Sequence, residues 1–416
     1  MLKGLPVGYI SVGIFAVSGL LINVIIANSY GAAGLGTFAQ TLAIYLVFGQ
    51  LVTGSLHISI VKDSAINVGN IESINKIIAT VLTIVTTITI PIALLLFFLA
   101  QPISIILDSN SIYQNIQIVS ISLFPFALNK ILLGILNGLN KVRTYHSCQI
   151  IKHLSLAAST IIICGSDSEI ENIAITFLIS ELITLLAILI NYRNILIKDH
   201  FLIDSAWAKR FFSYLKDGYT ASLYPELNLR VDLLIIGLFL SDTSVGIYSI
   251  SQAIYEGVST LLSIYRVNVN SIFARLVNNN LEEVRNIISK TARQVYPLMF
   301  AMLTISLLFY ENIITIIFSD TRIVGSFCAT HILLLSTLIV CGLVPFNHFL
   351  LHIGEIKLYR TLQRNIFLLN TTLNIILINT NGIEGAAMAT GLSLIVGEVY
   401  WYRKFRKKNK QFDPSP

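Results

Sequence analysis

Charged residues are scarce in this chain. Of its 416 residues, 12% are Asp, Glu, Lys or Arg, whereas soluble globular proteins carry about 25%. Hydrophobic residues make up 55% of the sequence, and the mean hydropathy is +0.76. This balance excludes an ordinary water-soluble domain and predicts a protein whose solvent is lipid.

Motifs that power or catalyse reactions are also missing. The sequence has no GxxxxGK[ST] for ATP hydrolysis, no GxSxG and no HExxH,. It has only four cysteines, without CxxC spacing, which is typical of small buried thiols rather than of disulfides or a metal site. We therefore expect no cofactor, no metal and no enzymatic activity, and energy from an ion gradient or from removal of a transported substrate.

Long apolar stretches are what the sequence does have. A helix needs about 20 apolar residues to span a bilayer, and spanning strands are shorter and alternate in polarity. The stretches therefore predict an all-α polytopic membrane protein. Its twelve predicted transmembrane helices are 7–27, 37–60, 77–99, 112–138, 147–164, 172–191, 218–240, 245–265, 292–310, 326–350, 362–380 and 385–402.

Basic residues mark alternate gaps between these stretches. One such gap region contributes Lys141, Arg143 and Lys152, and the tail from Arg403 to Lys410 contributes six more. The gaps between them hold mostly acids. Short cytoplasmic loops retain Lys and Arg, so we expect both termini in the cytoplasm. The net charge of +6 indicates attraction to anionic membrane lipids, and without interleaved aromatics it does not predict nucleic-acid binding.

Two halves of the sequence match at an offset of 210 positions. Gly36 and Phe38 open the second predicted span, and Gly246 and Tyr248 open the eighth. We expect two six-helix bundles related by a parallel internal repeat, as in transporters that hold substrate between their halves. The predicted divisions are an N-terminal bundle, a cytoplasmic linker, a C-terminal bundle and a basic cytoplasmic tail, at 1–191, 192–217, 218–402 and 403–416.

Three segments carry a family resemblance: SYGAAGLGTFAQ (29–40), VDLLIIGLFLSDTSVGIYSISQAIYE (231–256) and NGIEGAAMAT (381–390). The chain resembles the polysaccharide-unit (O-antigen type) flippases of the multidrug/oligosaccharidyl-lipid/polysaccharide exporter superfamily. The resemblance implies a multi-pass protein of the bacterial inner membrane. It implies movement of an undecaprenyl-pyrophosphate-linked oligosaccharide from the cytoplasmic to the periplasmic leaflet, alongside other polysaccharide assembly proteins.

Ionisable residues within spans are costly and indicate functional sites. The seventh span holds Glu226, Arg230 and Asp232 beside Pro225, and the fourth holds Lys130. Arg230 suits a pyrophosphate because its planar fork donates paired hydrogen bonds. The alternative is a structural pair of Arg230 with Glu226 or Asp232. We expect Lys130 to face a cavity or an acid on another helix, and to bind the diphosphate together with Arg230.

Polar stripes at three- and four-residue spacing follow three further helices and must face protein or water. Candidate substrate-binding or cavity-lining residues are Gln40, Gln50 and His57, then Gln252, Glu256 and Arg266, then His348 and His352. Ordinary interhelical hydrogen bonding is the alternative. The two last histidines have a zinc-compatible spacing but no third ligand, so protonation linked to transport is favoured.

Two other functions fit parts of the pattern. A cation-coupled multidrug exporter of the same superfamily would bind its coupling ion, H⁺ or Na⁺, at Glu226, Asp232 or Glu256. A membrane O-antigen polymerase or ligase also has many spans. That enzyme class typically has a large periplasmic loop with essential arginines. The predicted periplasmic gaps here are short, and the one basic residue in them is Arg322.

Overall fold

The computed structural model describes residues 5–166, 168–196, 203–276, 281–346 and 355–412. Within these ranges every regular element is a helix and no strand occurs, which confirms the all-helical class. The chain divides into two compact units, Met1–Glu226 and Leu227–Pro416.

Unit 1 is a bundle of six helices and the beginning of a seventh. The elements are α1 (Leu5–Thr53), α2 (Leu56–Ile66), α3 (Ile71–Ile106), α4 (Asn110–Gly138), α5 (Val142–Gly165), α6 (Ile175–Leu196) and α7 (Ser205–Phe239). A short 3₁₀ turn, Ile170–Asn172, precedes α6. Helix α4 packs on α1, α2, α3 and α6, so its side chains occupy the centre of this unit.

Among its described residues, unit 2 contains the rest of α7 and four more α-helices. These are α8 (Asp242–Leu276), α9 (Leu281–Ile317), α10 (Phe327–Val340) and α11 (Ile356–Phe412). Helix α10 packs on α8, α9 and α11. A core of Val258, Leu262, Val295, Met299 and Leu334 joins α8, α9 and α10.

Two glycines interrupt the longest helices. Gly31 has φ 70° within α1, and Gly382 has φ 59° within α11. A left-handed φ suits glycine because it has no Cβ, and it breaks the helical path. The first and second predicted spans lie on either side of Gly31, and the eleventh and twelfth lie on either side of Gly382.

Eight helices of the described residues are long and apolar enough to cross a membrane. Helices α7 and α8, which contain the seventh and eighth predicted spans, are not among them because their sequences are more polar. The predicted count of twelve, the repeat and the cytoplasmic termini stay predictions. The eight segments are Gly13–Thr53, Ile71–Ile106, Asn110–Gly138, Val142–Gly165, Ile170–Asn191, Asn286–Ile317, Thr321–Val340 and Ile356–Lys404.

Large apolar side chains cover much of the outside of these helices. Ile316 is 83% exposed, and Phe98, Ile162 and Ile190 are also largely exposed. In water such a surface would be an aggregation site, whereas in a bilayer it meets hydrocarbon. The exposure pattern therefore agrees with a multi-pass membrane protein.

The predicted linker 192–217 differs from the structure in its second part. Asp204 caps α7 by accepting hydrogen bonds from the backbone N–H groups of Ala206 and Trp207, at 2.8 and 3.1 Å, as N-cap residues do. Phe211 is fully buried in the core of unit 1. The second part of the predicted linker, residues 205–217, is therefore the start of α7. Its Phe211 packs in the core of unit 1.

Candidate functional site

A polar cluster lies at the centre of unit 1, around Lys130 of α4. The Lys130 ammonium donates a hydrogen bond to Oε1 of Gln50 on α1 at 2.8 Å, and Nε2 of Gln50 donates to the Gly54 carbonyl at 2.9 Å. His57 of α2 lies half-buried close to Lys130, and the Glu226 carboxylate attracts the ammonium. The hydrogen-bond acceptor of Lys130 is thus a neutral amide, and Glu226 supplies the negative charge that acts on the ammonium.

Glycines bring α4 against α2 at this cluster. A Cβ added to Gly138 would lie 2.5 Å from the Val61 carbonyl oxygen, and one added to Gly134 would lie 3.2 Å from the His57 carbonyl oxygen. Small residues allow helix backbones to approach closely in membranes. This contact fixes His57 beside the helix that carries Lys130.

A second polar cluster in unit 1 surrounds Glu181 of α6. Its carboxylate accepts hydrogen bonds from Tyr45 at 2.7 Å and Asn129 at 2.6 Å, and forms an ion pair with Lys152 of α5 at 2.6 Å. The rings of Phe126 and Tyr45 meet edge-to-face. The charge pattern of the sequence grouped Lys152 with loop residues; that was wrong, since it lies within α5.

In unit 2, Arg230 pairs across helices with Glu256. Its Nη1 donates to Oε1 of Glu256 at 2.9 Å, and the two side chains are 13% and 34% exposed. Nε2 of Gln252 donates to the same carboxylate oxygen at 3.0 Å and to the Leu229 carbonyl at 2.6 Å. The sequence suggested Glu226 or Asp232 as the partner, whereas the contact observed here is to Glu256 on α8.

Asp232 lies two residues after Arg230 in α7 and is almost completely buried. Its Oδ1 accepts from Asn370 at 3.0 Å and Asn374 at 2.7 Å, and its Oδ2 accepts from Tyr248 at 3.0 Å and from the Thr390 hydroxyl. All four donors are neutral. The arrangement stabilises a buried negative charge through hydrogen bonds rather than through a basic side chain.

The remaining predicted residues fall in three different settings. Gln40 is fully buried in α1, and Arg266 lies half-buried in α8, where Glu398 and Tyr359 of α11 are its electrostatic neighbours. His348 and His352 lie outside the described residues. Among the described residues no group of three or more His, Cys, Asp and Glu side chains is arranged to hold a metal ion.

The sequence argument missed Glu181, Asn370, Asn374 and Thr390. A signal was available for three of them: Glu181 is an acid inside the sixth predicted span, and Asn370 and Asn374 are amides four residues apart in the eleventh. Four-residue spacing places both amides on one helix face. Thr390 gave no such signal, because a lone threonine in a helix usually bonds to its own backbone.

A further missed residue, Asp63, holds α2 against α7. It is fully buried, and its Oδ1 accepts from Nη2 of Arg210 at 2.6 Å. Partial burial opposes the charge on Arg210, but its hydrogen bond with Tyr214 and the Asp63 carboxylate outweigh this effect and raise the pKa of Arg210. The pair anchors the start of α7 in unit 1.

Comparison with known proteins gives a family and a fold. Residues 61–324, more than half of the chain, match the family described as Polysaccharide biosynthesis protein. No curated protein sequence matches the chain.

Several solved structures are similar over nearly the whole chain. An inward-facing multidrug resistance MATE family transporter of the MOP superfamily has a TM-score of 0.80 at 12% identity, covering 96% of both chains. Lipid II flippase MurJ in an inward closed conformation has a TM-score of 0.77 at 16% identity, covering 98% of this chain and 88% of that chain. A MOP superfamily transporter from Pyrococcus furiosus Vc1 has a TM-score of 0.58 at 13% identity, covering 97% and 94%. These similarities show a shared fold.

Proposed function

Since the chain belongs to the polysaccharide biosynthesis protein family, we propose that it is a flippase for a lipid-linked oligosaccharide. Its substrate would be an undecaprenyl-pyrophosphate-linked O-antigen unit, moved by alternating access from the cytoplasmic to the periplasmic leaflet of the bacterial inner membrane. The fold supports the proposal, since one solved structure that shares it is a lipid II flippase. The single observation that carries it is the Lys130 ammonium, held inside a membrane bundle by a neutral amide.

Lys130 is the proposed phosphate ligand of unit 1. An ammonium inside a transmembrane bundle is costly and persists where it meets a partner or a water-filled cavity. Gln50 positions it by a 2.8 Å hydrogen bond without neutralising it. A phosphate oxygen would accept a charge-assisted hydrogen bond, which is roughly twice as strong as a neutral one.

Arg230 is the proposed phosphate ligand of unit 2. The Glu256 carboxylate accepts from Nη1 of Arg230. A guanidinium has five N–H donors, and its fork matches phosphate geometry, so a phosphate could replace the carboxylate. Gln252 also donates to Glu256, so the carboxylate keeps one donor if Arg230 turns to a substrate. Hydroxyls of the sugars would find matching donors and acceptors in Gln252 and Glu256.

Asp232 is the proposed site of the coupling ion, H⁺ or Na⁺. Carboxylate, amide and hydroxyl oxygens are the ligands that hard cations prefer. The Asn370 and Asn374 amides and the Thr390 hydroxyl surround the buried Asp232 carboxylate, and turning the two amides would present their oxygens to a cation. A cation that neutralises this carboxylate would change the hydrogen bonds that join α7, α8 and α11. Substrate movement would then depend on an ion gradient.

The test is surface polysaccharide display in cells that carry only a variant gene. Lys130→Ala and Arg230→Ala should each lower display roughly tenfold or more, since a hydrogen bond to a charged group contributes about 1.5–3 kcal/mol. Lys76→Ala and Arg322→Ala are matched controls, because these exposed cations pair with Glu72 and Asp320. Normal display in both site variants, at normal membrane levels, would remove the phosphate roles.

Deletion of the gene tests the substrate class. A flippase defect should leave lipid-linked oligosaccharide on the cytoplasmic leaflet, measured by its inaccessibility to a periplasmic sugar-binding probe. A multidrug exporter would instead give intracellular drug accumulation with normal surface polysaccharide. That second outcome would contradict the proposal.

A further inference from the structure

Unit 1 holds a second ammonium beside Lys130. The amino nitrogens of Lys130 and Lys152 lie 5.4 and 5.2 Å from the centroid of the same ring, that of Phe126. Aromatic faces attract cations, but two like charges in a membrane bundle repel each other and are costly to bury. Two positive charges this close together therefore indicate a site for an anion.

The Glu181 carboxylate, which pairs with Lys152, is also held by two neutral hydrogen-bond donors. The side chain of Glu181 is 1% exposed, and the hydroxyl of Tyr45 and the amide of Asn129 hold its oxygens at 2.7 and 2.6 Å. The Lys152 side chain is 21% exposed. Glu181 is thus fixed by two neutral donors, whereas Lys152 is the more exposed of the two partners. Lys152 is therefore the partner that is able to move.

We propose that unit 1 has a second diphosphate ligand beside Lys130, namely Lys152, which Glu181 holds in place until substrate arrives. On binding, Lys152 exchanges the Glu181 carboxylate for a phosphate oxygen, while Tyr45 and Asn129 continue to donate to the carboxylate. Lys130 binds the other phosphoryl group, so this inference rests on the proposed function. Two ammoniums around one ring match two phosphoryl groups, and the site selects a lipid diphosphate over a monophosphate.

The experiment measures binding of farnesyl diphosphate and farnesyl monophosphate to the purified full-length protein. The protein is placed in nanodiscs of phosphatidylcholine, which has no net charge, and affinities come from isothermal titration calorimetry. Glu181→Gln should strengthen diphosphate binding severalfold, because it removes the competitor for Lys152. In that background, Lys152→Met should weaken diphosphate binding about tenfold and monophosphate binding much less.

The Glu181→Gln background also prevents unfolding caused by the Lys152→Met substitution. Lys152→Met alone leaves a buried carboxylate without its cation, which is strongly destabilising, whereas removing both charges is often tolerated. Matched controls are Glu72→Gln and Lys76→Met, since that exposed pair has the same 2.6 Å separation. The controls should leave both affinities unchanged.

The outcomes distinguish a failure of the Lys152 proposal from a failure of the proposed function. If Lys130→Ala weakens diphosphate binding but Lys152→Met in the Glu181→Gln background does not, the second ligand is wrong and the proposed function stands. If Glu181→Gln weakens binding, the carboxylate does not compete for Lys152, and the exchange is refuted. If Lys130→Ala binds both probes as the unaltered protein does, the proposed phosphate site itself fails.

Discussion

Gly138 should be intolerant of even one added methyl group. It is the last residue of α4, and a Cβ at this position would lie 2.5 Å from the Val61 carbonyl oxygen and 2.7 Å from Cβ of Ser64. The carbonyl belongs to the backbone of α2 and cannot rotate away as a side chain would. Gly138→Ala therefore requires α2 to move away from α4.

The expected cost follows from overpacking. Forcing extra atoms into a packed contact costs about 1–3 kcal/mol, and alanine regains little helix propensity at the last residue of a helix. Gly257 is the matched control, because it is exposed within α8 and an added Cβ there meets nothing within 4 Å. Gly257→Ala should stabilise the protein by about 0.5–1 kcal/mol, since glycine in a helix interior is unfavourable relative to alanine.

The assay is thermal unfolding of the purified protein in one detergent, followed by tryptophan fluorescence. Gly138→Ala should melt below the unaltered protein and Gly257→Ala at or above it. Gly134→Ala should fall between them, because its contact below 3.0 Å is with a side-chain atom, Cγ2 of Ile60 at 2.8 Å, and the nearest backbone atom, the His57 carbonyl oxygen, is 3.2 Å away. A melting temperature for Gly138→Ala equal to that of Gly257→Ala would refute the close contact between α2 and α4.

Three further predictions test other contacts. Asp232→Leu should lower stability by roughly 3 kcal/mol in thermal unfolding, because four buried donors lose their acceptor, and Asp232→Asn should cost less; equal melting of both variants would contradict the four-donor arrangement. Arg210→Ala should destabilise by about 1–2 kcal/mol, since it leaves the buried Asp63 carboxylate without its cation but Arg210 itself is 44% exposed, and Asp63→Asn in the same chain should restore most of the loss. In a cysteine-free background, Glu256→Cys should react with a charged thiol reagent and Ile316→Cys should not; the reverse order would place the polar face of α8 in lipid.

The sequence predicted the all-helical class because a bilayer imposes a simple rule on each segment. Every spanning segment must satisfy its own backbone and present apolar side chains to lipid, so length and hydropathy locate it. The boundaries between packed units do not follow that rule. Residues 205–217 look like a hydrophilic linker, yet they start α7. Burial of Phe211 and the Asp63–Arg210 ion pair stabilise this helix, and both are tertiary contacts that the local sequence does not reveal.

The polar residues were predicted more easily than their partners. Lys130 and Arg230 stand out as charges in apolar segments, but nothing in their spacing indicates Gln50 or Glu256, which come from other helices. Asp232 was singled out only because a charge inside a predicted span is costly. Its four hydrogen-bond donors come from α8 and α11, so only the folded chain brings them together.

The breaks at Gly31 and Gly382 leave no slack between the segments that they join. Each is a single left-handed residue inside an otherwise continuous helix, so there is no loop to absorb an inserted reporter or epitope. One additional residue after Gly31 would turn the following helix by about 100°. The buried amides of Gln40 and Gln50 would then leave their present positions. Genetic tags for mapping this protein should therefore not be inserted at Gly31 or Gly382. The activity that remains after a one-residue insertion there measures how strongly function depends on the rotation of the following helix.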